Sequence, residues 1–236
     1  MISEMFAHGF IQRAFIGGVL VSLCAALLGV SLVLKRYSMI GDGLSHVSFG
    51  ALSIAIAFGF APIKFSIPIV IIAAFFLLRL AENGKMKSDA AIAMVSASSL
   101  AIGVIVTSLT TGLSTDVCSY MFGSILAMSK DDVIFSVVLS VVVLIMFGFC
   151  YHRIFAVTFD ESFSKATGMK VGMYNTLISI FTAVTVVLGI KMMGAMLISS
   201  LIIFPALTSM RVFKSFLSVT ICSAILAVIN FTAGLL

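Results

Sequence analysis

Charge is scarce in this sequence. Asp, Glu, Lys and Arg make up 10% of its 236 residues, where an ordinary soluble domain carries about 25%. A water-soluble globule of this length is thereby excluded. Cysteine supplies no framework either, because Cys24, Cys118, Cys150 and Cys222 are scattered, with neither paired nor metal-type spacing. They read as small apolar packing residues. Alternating ten-residue segments are missing, which excludes a membrane β-barrel. No G-x-x-x-x-G-K-S/T phosphate loop occurs, so an energy source of that kind does not lie in this chain.

What is present is apolar. Hydrophobic residues account for 61% of the chain, in runs of about 20 residues that match the hydrocarbon thickness of a bilayer. The first run is too long for a cleaved signal peptide and is followed directly by others. The chain therefore reads as an all-α, polytopic membrane protein, since only helices or closed barrels satisfy backbone polar groups in lipid. The pattern predicts eight spans, at 14–34, 40–60, 65–80, 90–112, 132–151, 172–190, 193–210 and 213–236, in one transmembrane domain over 1–236. Residues 115–129, "TDVCSYMFGSILAMS", are too short to cross and read as a re-entrant or interfacial helix.

Net charge of +5 resides in the loops, where it reports orientation and not nucleic-acid binding. Lys35 and Arg36 follow the first span, Arg79, Lys85 and Lys87 the third, Arg153, Lys165 and Lys170 the fifth, and Arg211 and Lys214 the seventh. With eight alternating spans these loops share one side, which is then cytoplasmic. Both termini are placed outside.

Two stretches break the apolar rhythm. The longest polar loop, 152–172, is cytoplasmic and has a helical core. Asp160, Glu161 and Ser162 stand early in it and Lys165 later, which suits the helix dipole. Phe155, Phe159 and Phe163 recur every four residues, so one face of this short helix should be aromatic. Gly168 offers a stop. Such a segment is either a solvated loop at the membrane surface or a helix that docks into a soluble partner.

The other break is "SMIGDGLSHVSFG", 38–50, inside the second span. An aspartate at the centre of a membrane helix costs about 2.5 to 3.5 kcal/mol on insertion scales. Ionisable residues there are functional candidates by default. Asp42 and His46, four apart, share one helix face within about 6 Å. A carboxylate and an imidazole so placed make half of a metal site. Two other readings stay open: a structural pair in which Asp42 caps a helix that starts late and His46 bonds to it, and a proton relay.

At these residues the sequence resembles the ABC-3 family of metal permeases, the membrane subunits of bacterial zinc, manganese and iron ABC importers. "LVLKRYSMIGDGLSHVSFGAL" (32–52), "YMFGSILAMS" (120–129), "FDESFSKATGM" (159–169) and "GAMLISSLIIFPALTS" (194–209) resemble blocks of that family in its order. The resemblance implies a multi-pass protein of the bacterial cytoplasmic membrane, working as a homodimer with separate ATPase subunits and loaded by an extracellular metal-binding protein. It implies that Asp42 and His46 line the path and contact metal. It also implies that Phe159, Asp160, Glu161, Phe163, Lys165 and Gly168 belong to the segment that couples to the ATPase. No covalent cofactor is implied, the divalent metal being the cargo. Members usually continue into another apolar segment, so the chain should be short or truncated at its C-terminus. The competing function is a self-sufficient proton- or ion-coupled carrier, with Asp42 and His46 as its relay.

Lesser candidates are read blandly. His8 is a surface histidine that could meet incoming metal, and His152 is interfacial. Met192, Met193 and Met196 cluster as packing residues, and Pro205 should kink the seventh span. Gly168 and Gly172 have dimer-motif spacing but stand at a loop-to-helix junction. Two Asp and two His from a dimer suit tetrahedral zinc, and manganese would want more oxygens.

Overall fold

The computed structural model describes residues 9–37, 39–82, 88–110, 123 and 130–235, in nine helices with no strand among them. They are α1 (Gly9–Leu34), α2 (Ile40–Ala57), α3 (Pro62–Glu82), α4 (Ser88–Thr110), α5 (Lys130–Phe159), α6 (Glu161–Ala166), α7 (Val171–Met193), α8 (Ala195–Val212) and α9 (Phe216–Leu235). Seven of these are long and apolar enough to cross a bilayer. The eighth expected span coincides with α3, whose apolar stretch Pro62–Leu77 is shorter. The segment 115–129 lies outside the described residues except for Gly123. That glycine, at φ +71°, packs against the Met193–Gly194 backbone.

Contacts between helix ends fix the alternation. Lys35, just past α1, donates a hydrogen bond to Asn175 Oδ1 in α7. Arg153 Nη1 in α5 donates to Tyr174 OH at 2.7 Å. The C-terminal ends of α1 and α5 and the start of α7 are thus at one level. At the other face, Gly17 of α1 lies against Met192 of α7 and Val133 of α5. This is the arrangement that the Lys and Arg distribution predicts.

α7 occupies the centre, with every residue from Phe181 to Ile190 buried. α1 and α2 flank it, while α4, α5 and α9 turn apolar faces outward, with Ile105, Phe149 and Ile225 among their exposed side chains. In lipid such faces need no polar cover. Polar side chains fasten helices across the core: Cys24 Sγ donates to Ser140 O at 3.4 Å, and Thr107 Oγ1 to Ser53 Oγ at 3.2 Å. At 30 residues, α5 is about 45 Å long, more than the roughly 30 Å hydrocarbon core. Its C-terminal turns lie on the face that carries Lys35.

Close approach places the start of α2. A Cβ on Gly29 of α1 would lie 1.9 Å from Ile202 O in α8, and one on Gly41 of α2 would lie 3.1 Å from Ile202 Cδ1. Three helices converge at Ile202, within the middle turns of α8. The helix α8 continues through Pro205.

Candidate functional site

α1 ends in a tight reversal. Arg36 N donates to Val33 O at 3.0 Å and Tyr37 N to Leu32 O at 2.9 Å, with Arg36 at φ 60°. This is a Schellman closure with arginine where glycine is usual. The chain turns back at once, and α2 begins at Ile40 with Met39 as its N-cap and no side-chain cap bond. The alternative in which Asp42 caps the helix is therefore not realised. Asp42 lies inside the first turn, and beside Gly41 it lies level with the middle of α8.

From Ile40 to Ser53 every residue of α2 is buried except Asp42 and His46. These two retain 47% and 30% of their side-chain exposure. Carboxylate Oδ2 and imidazole Nε2 stand 3.7 Å apart, too far for a direct hydrogen bond. Two donors on one tetrahedral zinc, with bonds of about 2.0 to 2.1 Å, lie roughly 3.3 to 3.4 Å from each other. The observed pair is near that separation. Small neighbours make the opening possible: Gly41, Gly43, Ser45 and Ser48 are buried, and Ser45 Oγ turns back on Asp42 O at 2.6 Å. Among the described residues no group of three or more His, Cys, Asp or Glu side chains could hold a metal. Among these residues one chain brings Asp42 and His46 together as two donors.

The second expected site is the polar segment that follows α5. α6 is a single helix of 6 residues. Asp160, extended at φ −144°, caps it by accepting from Phe163 N at 2.8 Å. Glu161 and Lys165 form an exposed ion pair at 2.9 Å. At the far end Gly168 N donates to Lys165 O and Met169 N to Ser164 O, with Gly168 at φ 80°. That is again a Schellman closure, here with the residue it favours.

The aromatic face is divided between two helices. α5 continues through Phe159, so Phe155 and Phe159 belong to its end and only Phe163 stands on α6. Asp160 makes the division, because its extended backbone ends one helix as its carboxylate starts the next. Phe159 and Phe163 are 76% and 64% exposed, while Phe155 packs on Phe216 at 4.9 Å between ring centroids.

The other candidates resolve simply. His152 is exposed and meets Tyr151 edge-on at 5.4 Å. Met192 and Met193 are buried and Met196 is exposed, so the cluster does not converge on one site. Nothing lies within 4 Å of a Cβ on Gly168 or Gly172. His8 lies outside the described residues. Sequence reasoning missed the Lys35–Asn175 and Arg153–Tyr174 bonds, whose partners are 140 and 21 residues apart. No local pattern announces either.

Comparison with known proteins gives a consistent set. The ABC 3 transport family matches residues 7–236. The high-affinity zinc uptake system membrane protein ZnuB of Buchnera aphidicola is 31% identical over 222 residues, covering 94% of this chain and 85% of its own. The manganese import system permease protein ScaB of Streptococcus gordonii is 28% identical over 217 residues, covering 92% and 78%. Among solved structures, PsaBC from Streptococcus pneumoniae in complex with Fab matches with a TM-score of 0.83 at 27% identity, over 97% of this chain and 83% of that one.

Proposed function

Because the chain belongs to the ABC 3 transport family, we propose that it is the membrane permease subunit of a bacterial importer for a divalent transition metal. The cargo is zinc, manganese or iron, and the relatives named for zinc and for manganese are both similar to this chain. Its place is the cytoplasmic membrane. It is a transport subunit and not an enzyme, with ATP hydrolysed by a separate ATPase and metal delivered by an extracellular binding protein.

The observation that carries this reading is the opening at Asp42 and His46 on an otherwise buried helix turn. A side chain that lipid penalises, kept accessible beside a second metal donor, is suited to passing a cation. Two donors are too few for selective binding. A second copy of the chain related by a twofold axis would double them to two carboxylates and two imidazoles. Phe159, Asp160, Glu161, Phe163, Lys165 and Gly168 then form the cytoplasmic contact with the ATPase. Exposed aromatics past the membrane fit that role, since they give contact area where lipid cannot cover them.

The test is uptake of zinc and manganese by cells that carry Asp42→Ala or His46→Ala in the assembled transporter. Uptake should be lost while the ATPase still associates. Normal uptake by the double variant would remove the pair from the path.

A further inference from the structure

Away from the transport path, a cleft of about 400 Å³ opens on the cytoplasmic side, lined by Arg153, Gly168, Met169, Lys170, Met173 and Tyr174. The end of α5, the turn after α6 and the first turn of α7 form its walls. Both charged groups lining it are cations. The acidic side chains of the neighbouring segment are engaged elsewhere, Asp160 as the cap of α6 and Glu161 with Lys165. Arg153 is anchored, because it bonds Tyr174 OH at 2.7 Å and its guanidinium lies 6.0 Å from that ring's centroid. Tyr174 is itself 4% exposed. One of the five guanidinium donors is used in this anchor. Lys170 is exposed at the rim, and Met173, 52% exposed, adds an apolar wall.

Depth identifies the occupant. Tyr151 and Phe155, on either side of Arg153 in α5, both pack against Phe216 of α9, at 5.5 and 4.9 Å between ring centroids. Tyr151, near the end of a long apolar helix, is of the residue type enriched at the membrane–water boundary. Arg153 therefore sits at the level of lipid phosphates, while α6 with Phe163 extends further toward the cytosol. Basic pockets between membrane helices on the cytoplasmic side hold anionic headgroups. We infer that the cleft binds the phosphate of an anionic phospholipid such as phosphatidylglycerol between Arg153 and Lys170, with the acyl chains leaving along Met173. Gly168 and Met169 close α6 and also line the cleft, so an occupied site braces the end of the coupling helix.

The experiment uses the purified full chain in detergent, with phosphatidylglycerol or phosphatidylcholine added at equal mole fraction and retained lipid counted by native mass spectrometry. The wild type should retain phosphatidylglycerol preferentially. Arg153→Gln with Lys170→Gln should lower that preference roughly tenfold, and Lys64→Gln, an exposed cation on the other face, should leave it unchanged. Lys170→Gln alone carries the test if the double variant does not fold. No preference in the wild type, or the same preference in the variants, overturns the proposal. Displacement of phosphatidylglycerol by millimolar inorganic phosphate would assign the cleft to a soluble anion and overturn the lipid.

Discussion

Lys35 donates a hydrogen bond to Asn175, tying the C-terminal end of α1 to the first turns of the central helix α7. Asn175 is 5% exposed, so its amide depends on protein partners and not on water. The bond is charge-assisted and belongs to the stronger class. It also fixes the point from which the chain reverses at Arg36 toward Asp42.

Lys35→Met should lower stability by about 1.5 to 3 kcal/mol, the range for a hydrogen bond to a charged group. Asn175→Leu should cost less when made in the Lys35→Met background than in the wild type. Thermal unfolding in detergent of the two single variants and the double variant measures this. A coupling energy of zero would show that the two side chains do not depend on each other.

The site itself predicts a stoichiometry. If two copies each contribute Asp42 and His46, the purified assembly binds one metal per two chains. Asp42→Ala should weaken that binding by more than the roughly 10- to 100-fold typical of an outer-shell change. Equilibrium dialysis with zinc and with manganese gives both numbers. One metal per chain would sink the shared site.

For the cytoplasmic segment, exposure separates contact from fold. Phe159 and Phe163 are mostly exposed, so Phe159→Ala and Phe163→Ala should leave thermal stability within about 0.5 kcal/mol of the wild type. Asp160→Ala should cost about 1 kcal/mol through loss of the cap. All three should reduce metal uptake per ATP hydrolysed by the assembled transporter. Unchanged coupling in both Phe variants would leave a plain surface loop.

Much of this was legible in the sequence, for reasons that differ by residue. Eight helices stand where eight apolar runs stood, because a bilayer fixes both length and secondary structure. Asp42 and His46 were conspicuous because lipid makes charge rare. Asp160 and Gly168 announced a short helix through local chemistry alone. The start of α2 at Ile40 coincides with the predicted start of the second span. The form of the reversal before it was not legible, since Arg36 closes it at positive φ where no glycine marks the turn. The inner faces were hidden as well. Lipid is as apolar as a protein core, so the buried length of α7 and the exposed flank of α4 look alike in sequence. The end of α5 escaped because the four-residue rhythm of Phe155, Phe159 and Phe163 continues across the Asp160 break.

Gly29 gives the sharpest test of the packing that holds the site. A Cβ there would stand 1.9 Å from Ile202 O, a clash with backbone that no side-chain rotation relieves. α1 and α8 must separate to admit it, and overpacking of this kind costs about 1 to 3 kcal/mol or more. Ile202 also packs on Gly41, next to Asp42, so the shift passes directly to the site. Gly29→Ala should therefore lower the unfolding temperature and abolish uptake. Gly148 is the internal control, since nothing lies within 4 Å of a Cβ there and the residue is an exposed interior position of α5. Gly148→Ala should be neutral or stabilising by up to about 1 kcal/mol, as alanine is the better helix former. Thermal unfolding and metal uptake of the two variants are measured side by side. Equal behaviour of the two alanines would mean that α1 and α8 do not meet at Ile202, and that Asp42 is not positioned by their contact.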